Sequence, residues 1–109
     1  MKKSTTLVLA LLVVGAVSIR AADVKENWEK NCVKCHGANG AGKTKMGGKV
    51  GVKDYTDAKV QAEMKDEEMG KRIKEGVKEG DTTKMKAFGD MLSDDEIKAL
   101  VAHVRSLKK

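Results

Sequence analysis

Cys32-Val33-Lys34-Cys35-His36 contains both cysteines of the 109-residue chain and one of its two histidines. A tetrahedral zinc site takes four ligands. His103 is the only further residue of the Cys/His type, which leaves such a site one ligand short. A thioredoxin-like dithiol belongs in a βαβ unit, and no strand pattern flanks this segment. A disulfide across two intervening residues closes so small a loop that it would stabilise little.

The wider chain narrows the choice. Lys2 and Lys3 precede an almost continuously apolar run from Leu7 to Ile19, and Asp23 is the first acidic residue. A basic start, a short apolar run and small residues beyond it describe a secretory signal peptide. The run is shorter than the roughly 17–25 residues of a spanning helix. Residues 1–21 are therefore expected to be a cleaved signal, with the cut after Ala21 and one domain over 22–109. Loss of Lys2, Lys3 and Arg20 lowers the net charge from +6 to +3. That charge is too mild and too mixed in sign for a nucleic-acid tail. With one Trp, one Tyr and one Phe, the chain cannot build an aromatic core. A domain this small is marginal unless something completes its interior, and two cysteines close one disulfide at most.

Two thiols on one helix, spaced by two residues, can each form a thioether to one vinyl group of a haem. The histidine that follows them is then placed to bind the iron. Cys32, Cys35 and His36 are the expected haem c attachment and ligand residues. A haem-free thiol or zinc protein stays open as an alternative.

On these residues the chain resembles the small bacterial monohaem class I cytochromes c, from about Val24 to Lys108. The resemblance rests on Cys32-Val33-Lys34-Cys35-His36-Gly37, a glycine-rich stretch, Lys84-Met85-Lys86-Ala87-Phe88, Leu92-Ser93-Asp94-Asp95-Glu96-Ile97 and a closing helix. It implies an all-α fold of about four helices around one covalent haem, with the terminal helices crossing. It also implies a methionine just before the last helix as second axial ligand, and Met85 stands there. The family usually has proline after this methionine; here it is Lys86, so the loop is expected to be less stiff. Met91, tied to the following helix start, and His103 are the competitors. Met46 lies too near His36 in sequence, and Met64 and Met69 read as helix filler. The implied function is one-electron transfer in the periplasm by a monomeric, non-enzymatic carrier. A haem enzyme or gas sensor in which Met85 dissociates is the other class kept open. Lys34, Lys43, Lys45, Lys49, Lys84 and Lys86 lie where a basic ring could steer an acidic redox partner.

Between these motifs the pattern predicts a first helix over about 24–34, with Val24, Trp28, Cys32 and Cys35 on one face. Gly37 to Gly51 carries six glycines and is expected to be irregular. Gly37 to Thr44 matches the letters of a phosphate-binding loop, but that motif needs a strand before it and a helix after it. A short helix over 57–64 capped by Thr56 should follow. A second, capped by Asp66, should run from Glu67 to about Lys78 with Met69, Ile73 and Val77 inward. Residues 81–92 read as a loop in which Met85 is free on both sides. Ser93 and Glu96 form a capping box. The last helix should turn Ile97, Leu100, Val101, Val104 and Leu107 inward, against Trp28 and Val24.

Overall fold

The computed structural model describes residues 21–109, so the expected signal segment lies outside the described residues up to Arg20. Helix α1 (Ala21–Asn31) opens with Asp23 in its first turn and closes with Lys30 in its last, both suited to the helix dipole. It ends earlier than expected. Cys32 leaves helical geometry at φ −120°, and α2 (Val33–His36) starts beyond it. The path stays nearly helical, since the Cys32 N–H donates to the Trp28 carbonyl at 2.9 Å and the His36 N–H to the Cys32 carbonyl at 2.9 Å.

The glycine-rich stretch is not wholly irregular. Thr44 caps α3 (Lys45–Val50) by accepting from the Gly47 N–H, and Gly51 closes it at φ +75°. Glycine density pointed to loop because Gly47 and Gly48 are poor helix formers by propensity. Contact with the thiol turn decides otherwise. Helix α4 (Ala58–Glu63) is capped by Asp57, which accepts from the Lys59 N–H. Thr56, the expected cap, instead donates its hydroxyl to Asp54 Oδ1.

Helix α5 (Asp66–Glu75) stops short of Lys78 because Gly76, at φ +79°, turns the chain. Val77 does not continue the helical stripe. It begins β1 (Val77–Glu79), which pairs antiparallel with β2 (Thr82–Met85). Gly80, at φ +60°, supplies the left-handed residue of the two-residue turn. Lys78 pairs with Thr83 and Val77 with Met85, so Lys84 is the extra residue of a bulge next to Met85. The fold class remains helical, with six helical segments and this one hairpin among the described residues.

Helix α6 (Asp94–Ser106) carries the capping box in full, with Ser93 and Glu96 each accepting from the other's backbone N–H. Its buried face is Ile97, Leu100, Val101 and Val104. Leu107 is only half-buried but packs against the core. That core joins Val24 and Trp28 of α1 to Phe88, Leu92, Ile97, Leu100 and Val104. The first and last helices meet there, as the sequence pattern requires.

Candidate functional site

Cys32, Cys35 and His36 are brought together by the turn between α1 and α2. Both thiols are free and half-buried. Burial, with the Cys35 thiol beside it, pushes the Cys32 thiol up to about 11. A thiol so placed is neutral at physiological pH, which is opposite to the lowered value of a reactive redox cysteine. Burial also holds His36 below the usual histidine range, so its imidazole is neutral and keeps a lone pair for a metal. Its buried Nδ1 has no hydrogen-bond partner among the described residues. The ring lies between Tyr55, with centroids 5.1 Å apart and planes 20° from parallel, and Trp28 at 5.8 Å.

The glycine-rich segment closes on this turn from outside. Thr44 donates its hydroxyl to the Cys35 carbonyl at 2.7 Å and accepts from the Gly47 N–H at 2.8 Å. The Gly42 N–H donates to the His36 carbonyl at 2.8 Å. A Cβ on Gly47 would meet the Cys35 carbonyl oxygen, so only glycine lets α3 come this close. The phosphate-loop letters thus serve another purpose: helix α2 precedes them, and the Thr44 hydroxyl is spent on the thiol turn.

Met85 ends β2 and is half-buried against the core. It is not on free chain, as the sequence suggested. Its backbone is locked between β1 and the end of α5. A Cβ on Gly76 would lie 2.7 Å from the Met85 carbonyl oxygen and 2.8 Å from the Ala87 nitrogen. Just beyond, Phe88 N–H donates to the Ile73 carbonyl at 2.9 Å and Gly89 N–H to the Lys74 carbonyl at 3.0 Å. These bonds tie the chain just beyond Met85 to the end of α5.

Of the other candidates, Met91 is 56% exposed. Met46 lies in α3, and Met64 and Met69 pack against the core. His103 is half-buried on the flank of α6. Its ring packs on Trp28 at 4.9 Å, and its Nε2 is buried without a partner. Three residues that sequence alone did not single out shape the site: Tyr55, Gln61 and Arg105. Gln61 is 4% exposed in an otherwise ordinary amphipathic segment, and no local signal marks it.

The chemistry of these donors fits a haem. Two thiols and a neutral imidazole share one turn. Met64, Met69, Ile73 and Met85, packed against the core, present apolar surface that the chain itself only half covers. Among the described residues no group of three or more Cys, His, Asp or Glu side chains is arranged to hold a bare metal ion.

The family model described as cytochrome c oxidase, cbb3-type, subunit III matches residues 20–104. The chain belongs to this family of c-type cytochromes. Two solved structures support the assignment. The KustC0563 c-type cytochrome is 35% identical with a TM-score of 0.70, over 78% of this chain and 96% of that one. A tyrosine-to-phenylalanine mutant of Kustc0563 is 35% identical with a TM-score of 0.69, over 79% of this chain and 99% of that one. No curated protein matches the chain. This c-type cytochrome has the small class I fold, and its family's business is haem-based electron transfer. No helix among its described residues is long and apolar enough to cross a membrane.

Proposed function

We propose that this cytochrome is a soluble one-electron carrier with a single haem c, working in the periplasm after loss of residues 1–21. The observation that carries the proposal is the thiol turn. Cys32 and Cys35 are free and half-buried beside a neutral His36. In this assignment Cys32 and Cys35 would hold the haem by thioethers, and His36 and Met85 would be the iron's protein ligands. The bound haem would supply an iron that gains and loses one electron, and one thioether ligand in place of a second imidazole would favour the reduced metal.

The chain's own residues do the rest. Thr44 and Gly47 fix the thiol turn from outside. The hairpin and the α5 terminus pin the Met85 backbone, so a ligand there would move little between oxidation states. That pinning also argues against the enzyme or gas-sensor alternative, whose sole support was the missing proline. Lys34, Lys43, Lys45, Lys49 and Lys86 are exposed, while Lys84 is half-buried and 3.7 Å from Glu79. In this proposal the free lysines attract a partner with an acidic docking surface.

The test is the mass and the redox-resolved absorption spectrum of the exported protein. The expected result is one haem added to a chain starting at residue 22, with a sulfur-to-iron band at long wavelength in the oxidised form. Met85→Ala should abolish that band. A colourless product would overturn the haem assignment, and a band that survives Met85→Ala would transfer the ligand role to another residue.

A further inference from the structure

The His36 imidazole is held by packing. With no hydrogen-bond partner at its buried Nδ1, its rotation about χ2 is free of a polar anchor, and such sp³–sp² torsions are intrinsically broad. What limits the ring is the near-parallel face of Tyr55 on one side and the Trp28 ring, tilted by 33°, nearby.

A stacking ring restrains its neighbour only as well as its own backbone is held, and Tyr55 is held at both ends. Its N–H donates to the Gly40 carbonyl at 2.9 Å. Its carbonyl accepts from Gln61 Nε2 at 2.7 Å. The same Nε2 donates to the Val104 carbonyl of α6 at 2.8 Å. Gln61 Oε1 accepts from Arg105 Nη1 at 3.1 Å. Arg105 itself is anchored, donating to the Gln61 and Met64 carbonyls at 2.6 Å each and to Asp66 Oδ1 at 2.7 Å. The Gln61 amide has one permitted orientation: turned over, it would aim its oxygen at two carbonyls and its NH₂ at a guanidinium. A buried, fully used amide of this kind is costly to build and leaves its neighbours little freedom.

We propose that Tyr55 is a positioning residue for His36, clamped to α6 through Gln61, and that its ring face fixes the plane of the imidazole. This rests on His36 being the haem ligand. It predicts a division of labour within Tyr55. The aromatic face acts, whereas the hydroxyl does not. Burial raises the phenol's pKa and keeps it neutral.

The test uses the haem-loaded full chain and reads the order of the haem-methyl NMR shifts in the oxidised protein. That order follows the orientations of the imidazole and of the thioether and is indifferent to loss of stability alone. Tyr55→Phe should keep the wild-type order. Tyr55→Leu should change it, while the sulfur-to-iron band and the bound methionine's own NMR signals stay as in the wild type, showing that the other ligand is untouched. An unchanged order in Tyr55→Leu overturns the proposal. So does a Tyr55→Phe spectrum that moves as the leucine variant's does. If Tyr55→Leu fails to fold, Gln61→Met releases the Tyr55 carbonyl and is judged by the same two results. A protein that carries no haem at all is seen separately by mass; it removes the ligand assignment itself and the proposal with it.

Discussion

Gly47 and Gly48 are neighbours in α3 with opposite roles. A Cβ on Gly47 would press on the Gly42 carbonyl oxygen and on the Cys35 carbonyl oxygen and Thr44 Oγ1, the last two held by hydrogen bonds. Nothing lies within 4 Å of a Cβ on Gly48. Gly47→Ala should therefore destabilise the protein by at least the ~1–3 kcal/mol typical of overpacking. Gly48→Ala should stabilise it by about 0.5–1 kcal/mol through helix propensity. Chemical denaturation of the two variants side by side checks the contrast. His103 makes a pH-dependent contribution. Burial against Trp28 holds its pKa below the usual 6.5. The unfolded chain then binds more protons between the folded value and 6.5. The stability involved is complete above 6.5 and is lost as the pH falls through the folded value. His103→Gln should flatten the fall in unfolding midpoint on mild acidification; an unchanged slope would assign that fall to other groups. Lys25 and Glu29 line the small cavity of about 260 Å³ beside this histidine.

The helices differ in how much of them is written locally. Helix α6 is specified by its own ends: Ser93 and Glu96 satisfy each other's backbone N–H, and Asp94 and Asp95 sit at the positive terminus. Asn27 of α1 donates to Glu96 at 2.9 Å, so the cap also joins the two terminal helices. Ser93→Ala should cost about 1 kcal/mol, measurable as a shift in thermal midpoint with an unchanged fold. Helix α5 shows the opposite case. Met69, Ile73 and Val77 continue a helical spacing, yet the helix ends at Glu75 because Gly76 must pass close to the backbone of Met85 and Ala87. The spacing was real for Met69 and Ile73, which pack on the core, and accidental for Val77, which pairs with Met85 in the hairpin. The hairpin was hard to see because its strands are three and four residues long. Such strands show too few alternations to outweigh a helical run leading into them.

Across the molecule, several apolar side chains beside the core are only half-covered by protein. Met64, Met69, Ile73 and Met85 contact the core but keep part of their surface open. A bound apolar group that covers them adds its binding free energy to folding. The chain made without haem should accordingly lose much of its helicity and its cooperative melt, as followed by circular dichroism. A sharp native-like melt in that form would show that the protein core suffices. Net charge acts over the same dimensions. The rate of electron exchange with an acidic partner should fall as ionic strength rises, since screening shortens the reach of the lysines. A rate that is flat or rises with salt would rule steering out.

The residues themselves determined the thiol–thiol–imidazole chemistry, the capped last helix and the apolar faces by which α1 and α6 meet. Each depends on groups a few positions apart, whose geometry a helical turn dictates. Only the tertiary structure decided that Gly47 stands inside a helix, that Met85 is pinned by a hairpin, and that Tyr55 and Gln61 connect His36 to α6. Those features arise from contacts between segments distant along the chain. There, close backbone approach and the need to pair every buried polar atom override local preference.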